Sequence, residues 1–140
     1  MANYFNALLE KFDANGASTA EVFDGVEKHF GCVLPVQYKN FMGSCDGGEG
    51  FIGGQYLILW RAAELIDFNR DYEVEKYAPG LLFFGSNGGG EAFAFDTREP
   101  ERMKIRMVPF IGMSLNEAKL VADTFESFLI RLAESNGTLP

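Results

Sequence analysis

Pro79-Gly80-Leu81-Leu82-Phe83-Phe84-Gly85-Ser86-Asn87-Gly88-Gly89-Gly90-Glu91-Ala92-Phe93-Ala94-Phe95-Asp96 decides the fold class. Pro79-Gly80 breaks whatever precedes it, and Leu81–Phe84 and Ala92–Phe95 are two short apolar runs separated by Asn87 and three glycines. Asn-Gly is the strongest short-range hairpin signal, because both residues tolerate the positive φ of a tight turn. The stretch therefore reads as a β-hairpin. Downstream, Met103 to Pro109 supplies a further strand, ended by a proline that has no amide for the ladder.

Working outward, helical patterns lie toward both ends. Phe5, Leu8, Leu9 and Phe12 recur at helical spacing from Tyr4 to Phe12. Ser18-Thr19-Ala20-Glu21 reads as a capping box for a helix that buries Val22, Phe23, Val26 and Phe30 and stops at Gly31. Pro35 suits the first position of a third helix, with Tyr38, Phe41 and Met42 inward. At the other end, Val121, Phe125, Phe128, Leu129 and Leu132 mark a last helix, opened by a second capping box at Ser114–Glu117 and closed by Asn136-Gly137.

Between these lie Ser44 to Gly54, read as loop for its glycines, Tyr56–Trp60 as a strand covered on both faces, and a helix from about Arg61 with Ala62, Leu65, Ile66 and Phe68 inward. No repeat or linker divides the chain. The expectation is one α+β domain over residues 1–140, a central, largely antiparallel sheet flanked by N- and C-terminal helices.

Composition bounds the function. A chain of 140 residues buries about 70% of its unfolded surface, and 47% apolar residues with 14 Phe can fill one aromatic core. The formal charge of −8 repels phosphate backbones and anionic membranes. No apolar run reaches membrane-spanning length, and Met1–Phe5 lacks the basic start of a signal peptide. The reading is a cytoplasmic protein that binds neither nucleic acid nor membrane.

Catalytic and cofactor patterns are weak. Gly48-Glu49-Gly50-Phe51-Ile52-Gly53 spells G-x-G-x-x-G, but a dinucleotide site needs a strand before it and a helix after, and here a helix precedes. A single histidine, His29, rules out a His-rich metal site, and its place late in a helix argues against a pairing with Cys32 or Cys45, which read as small apolar residues. Glu49 and Glu91, each following glycines, would serve as acid and base on a glycosidic bond if they met at 5–5.5 or 6.5–9.5 Å, roughly the separations such enzymes use. Otherwise they cap turns. No cofactor is expected.

What remains is acidic surface. Asp67, Asp71, Glu73 and Glu75 surround Tyr72. With Asp46, Glu49 and Glu91 as further exposed acids, and Trp60 or Tyr72 as an aromatic anchor of the kind enriched at interface centres, these residues form a candidate protein-binding set.

The ordered series Leu34-Pro35-x-x-Tyr38, Asp46-Gly47-Gly48-Glu49-Gly50, Tyr56–Trp60, Pro79–Asp96, Val108-Pro109-Phe110-Ile111-Gly112-Met113 and Phe125-Glu126-x-Phe128-Leu129 resembles the SUKH superfamily, the Smi and Knr type domain, over roughly Ser18 to Leu132. The resemblance implies an α+β fold with a central sheet. It further implies the role ascribed to bacterial members, immunity proteins that bind and neutralise polymorphic toxins, often nucleases. Fungal relatives are linked to cell-wall synthesis regulation, so an envelope-synthesis adaptor is the alternative, and a carbohydrate hydrolase using Glu49 and Glu91 a second one. A nuclease must be basic to hold its substrate, so an acidic inhibitor suits it.

Overall fold

The computed structural model describes residues 12–135. These form one seven-stranded antiparallel sheet whose spatial order follows the chain: β1 (Phe12–Ala14), β2 (Gly48–Ile52), β3 (Gln55–Leu59), β4 (Leu81–Ser86), β5 (Glu91–Asp96), β6 (Ile105–Pro109) and β7 (Lys119–Ala122). Five helices accompany it: α1 (Ala20–Phe30), α2 (Val36–Cys45), α3 (Leu65–Asp71), α4 (Val74–Tyr77) and α5 (Phe125–Glu134). The fold class is α+β, as expected. The expected β4–β5 hairpin is present, turned by Asn87, whose Oδ1 accepts the amides of Gly89 at 2.8 Å and Glu91 at 3.2 Å.

The sheet has an inner and an outer face. On the inner face, Phe84 stacks on Phe95 at 4.4 Å, Tyr38 of α2 meets Phe95 edge-on at 5.0 Å, and Phe128 of α5 meets Phe93 at 4.8 Å. All five rings are fully buried, and each contributes about 1.5–3 kcal/mol by leaving water. Burial also raises the Tyr38 phenol well above its ordinary pKa, and its hydroxyl has no hydrogen-bond partner among the described residues.

On the outer face, α3 is fastened by one buried side chain. The β3–β4 ladder covers only Ile58↔Ser86 and Leu59↔Gly85, so Phe83 has no strand partner on that side. Asn69 takes the strand's place: its Oδ1 accepts the Phe83 amide at 2.8 Å and its Nδ2 donates to the Phe83 carbonyl at 2.9 Å. A buried backbone pair is thereby satisfied without a strand.

Several local expectations change. Ser44–Gly54 is not loop: Ser44 and Cys45 end α2, and Gly48–Ile52 is β2. Its glycines let other backbone lie close. A Cβ on Gly48 would overlap the Asp13 carbonyl of β1, and one on Gly53, at φ +59°, would overlap the Ala133 backbone of α5. The G-x-G-x-x-G stretch is thus a strand and its packing corner.

The α1 cap is Thr19, whose hydroxyl accepts from Val22, while Ser18 donates instead to Asp46. Pro35 sits just before α2 as its cap, one position earlier than expected. Ser114–Glu117 opens only a 3-10 turn leading into β7, and Val121 belongs to that strand. The last helix starts at Phe125, where Thr124 and Ser127 exchange side-chain and backbone hydrogen bonds at 3.0 Å. Phe12 lies in β1, and the rest of the expected first helix lies outside the described residues, as does Asn136-Gly137. Tyr56 and Ile58 of β3 are half-buried, so that strand is covered fully on one face only.

Candidate protein-binding site

Over β2 the outer face is open at Glu49 and Phe51, both exposed. Strand alternation puts Glu49 and Phe51 of β2 outward, in register with Ile58 and Tyr56 of β3. Phe51 is half exposed and meets the Tyr56 ring edge-on at 5.1 Å. The Tyr56 hydroxyl donates to Glu49 Oε2 at 2.5 Å, a contact that raises the phenol pKa and keeps it a donor. The turn at Gly88 lies flat beside Tyr56 and Ile58, where an added Cβ would stand 3.3 Å from the ring.

From this hairpin an aromatic series crosses to α3. The Phe110 amide donates to the Gly90 carbonyl at 3.0 Å, the Phe110 ring lies 4.6 Å from Tyr72, and Tyr72 stacks on Trp60 at 5.9 Å. Trp60 is only 8% exposed and forms the floor, whereas Tyr72 is 44% exposed and forms the surface. Ile111, next to Phe110, is 94% exposed. Asp67 and Asp71 are exposed on α3, which ends just before Tyr72, and Arg70 bridges them at 3.2 and 3.4 Å, an exposed arrangement of the kind that contributes little to stability.

The structure places the expected residues in two groups, Glu49 beside Tyr56 on the sheet face, and Trp60 and Tyr72 stacked next to α3, which carries the exposed Asp67 and Asp71. Asp46, expected among the exposed acids, is half-buried with φ +44°, and its carboxylate accepts the Ala62 amide at 3.1 Å and the Ser18 hydroxyl. Glu91 is half-buried too. The register Glu49↔Ile58, Ile58↔Ser86, Ser86↔Ala92 puts Ala92 on the face of Glu49 and Glu91 on the other. Three strand spacings of about 4.8 Å separate the rows, so the two glutamates do not share a reaction centre.

Phe51, Tyr56 and Ile111 escape the sequence reading, as does Asp13 of β1, exposed and opposite Glu49 in the ladder. The G-x-G-x alternation of Gly48-Glu49-Gly50-Phe51 is the available signal for Phe51, masked because glycine carries no hydrophobic mark.

The remaining chemistry is structural. Burial pushes the Cys45 thiol up to about 11 and raises Cys32 as well, leaving both protonated and poorly nucleophilic near neutral pH. His29 is exposed at the end of α1, beside a groove of about 720 Å³ lined by Phe30, Ile66 and Val74, with Arg70 and Lys76 at its rim. Asp96 is held well below the usual carboxylate range, first by Arg98 and then by Arg106, each at 2.7 Å. That network clamps β5 to β6. Among the described residues, no helix is long and apolar enough to cross a membrane.

These features define an α+β domain with a packed inner sheet face and an acidic, aromatic outer one. Residues 17–131 match the model of the SMI1 / KNR4 family (SUKH-1), and the chain belongs to that family. No curated protein gives a match to the chain.

Proposed function

We propose that this protein is a non-enzymatic binding domain that neutralises a basic toxin domain, in the manner of bacterial immunity proteins. Members of this family are generally non-catalytic binding domains. The observation that carries the reading is the surface itself: Phe51, Tyr72 and Ile111 are exposed, and so are the carboxylates of Glu49, two residues before Phe51, and of Asp67 and Asp71 on α3. Apolar groups rimmed by charge mark association surfaces, and the net charge of −8 accelerates encounter with a cationic partner. Sequestration works by occluding the partner's substrate surface and needs no cofactor. It takes place in the cytoplasm, before the toxin reaches its target.

The test is co-expression with the toxic domain encoded beside this chain's own coding sequence. Survival of the cells and co-purification of the pair are expected. Asp67→Lys with Asp71→Lys is expected to slow association and flatten its salt dependence. Failure of the wild-type chain to rescue or to co-purify would remove the immunity reading and favour an adaptor in envelope synthesis, whose partner is a resident protein.

A further inference from the structure

The β1–β2 register places Asp13 directly opposite Glu49, with both side chains exposed on the outer face. Like charges facing each other across strands are destabilising, and sheets ordinarily avoid them. Among the described residues, neither carboxylate is paired with a cation. Beside them the outer positions of β2 and β3 hold Phe51, Tyr56 and Ile58, an apolar platform continuous with the two acids. The Tyr56 hydroxyl fixes one oxygen of Glu49 and leaves the other free to accept.

We propose that this face of β1–β3 is the docking site for a basic segment of the protein partner, with one arginine laid against Phe51 and Tyr56 and its guanidinium held between Asp13 and Glu49. The inference rests on the partner-binding reading above and specifies its chemistry. A guanidinium is planar, stacks on aromatic rings, and offers a fork of donors that two carboxylates can share. An ammonium fits less well, being a compact, strongly hydrated charge. A hydrated divalent ion would gain nothing from the rings. A second copy of this chain would bring another −8 of charge to the contact. An arginine also relieves the repulsion the strand register builds in, which gives the face a preference for cationic occupants before any contact specific to one partner.

The test is an NMR titration of the isotope-labelled full chain with a short blocked peptide carrying two arginines, beside the same peptide with lysines and with citrullines. Saturable shifts centred on Asp13, Glu49, Phe51, Tyr56 and Gly88 are expected. The arginine peptide should bind several-fold tighter than the lysine one, and the citrulline peptide not measurably. Asp13→Asn with Glu49→Gln, checked for a wild-type circular dichroism spectrum, should weaken the arginine peptide by about tenfold or more, the loss of a charge-assisted pair. Shifts spread evenly over all acidic surfaces, equal binding of lysine and arginine peptides, or concentration-dependent dimerisation abolished by Phe51→Ser would each overturn the assignment. The two proposals fail separately. Retained wild-type affinity for the toxin in the Asp13/Glu49 variant sinks this site and leaves the immunity reading standing, whereas peptide binding without toxin capture does the reverse.

Discussion

Across its width this sheet uses aromatic residues in two ways. On the inner face Phe84, Phe93 and Phe95 vanish under Tyr38, Phe125 and Phe128. On the outer face Phe51 and Tyr56 pair with each other, Phe51 is half exposed, and Tyr56 meets the Gly88 turn and the Glu49 carboxylate. The inner rings are surrounded by apolar partners and cannot be altered without leaving a void. The outer rings sit on backbone that the ladder already holds, so their identity is free to serve contact with something else. In the proposed docking, recognition at β2 and β3 falls to the outer rings, while the inner rings, like Phe83 under Phe110 on the outer side of β4, serve stability.

That division predicts the largest loss on the inner face. Phe84→Ala should cost about 3–5 kcal/mol, the range for emptying a buried aromatic site, because Phe84 touches Phe95, Phe125, Phe128 and Tyr38 together. Urea unfolding measures it. A loss under 1 kcal/mol would mean that the core collapses around the gap.

The two faces also differed in how readable they were. The inner one was legible because Phe93–Phe95 and Phe125–Leu132 carry their apolar residues at strand or helix spacing and Leu81–Phe84 is a short apolar run. β2 was not, since four of its five residues are glycine or follow one and the strand's value lies in letting β1 approach. β7 was misread because Val121 stands four residues before Phe125, the spacing that a continuing helix would produce. For the site, Asp67, Asp71 and Tyr72 could be read as a cluster because they are close in sequence. The facing of Asp13 and Glu49 could not, as it depends on which strands become neighbours.

A middle-sized effect lies at Asp96, where the clamp between β5 and β6 is electrostatic. Asp96→Asn should cost about 2 kcal/mol, less than a fully buried pair because the Arg98 side chain is nearly half exposed. The sign of the pH dependence follows from the lowered pKa. Unfolded Asp titrates near about 3.9, so the stabilisation is fully present above roughly that pH and is lost as pH falls toward the lower folded value. Acid unfolding of wild type should therefore steepen below about pH 4, and the Asn variant should lack that component.

The smallest effect separates the faces most sharply, because on the outer face removing a charge should help the fold. Asp13→Asn relieves the repulsion with Glu49 and is expected to stabilise the free protein by a few tenths of a kcal/mol, within the range for cross-strand charge pairs. Glu49→Gln should do so less clearly, since it also weakens the acceptor for the Tyr56 hydroxyl. Neutralising one acid removes the reason to neutralise the other, so the double variant should gain less than the sum of the singles. That shortfall should shrink as salt is raised, because both groups are exposed and screened. If each substitution instead destabilises, and the shortfall is absent at low salt, the two carboxylates do not repel, and the preference of this face for a cation loses its physical basis.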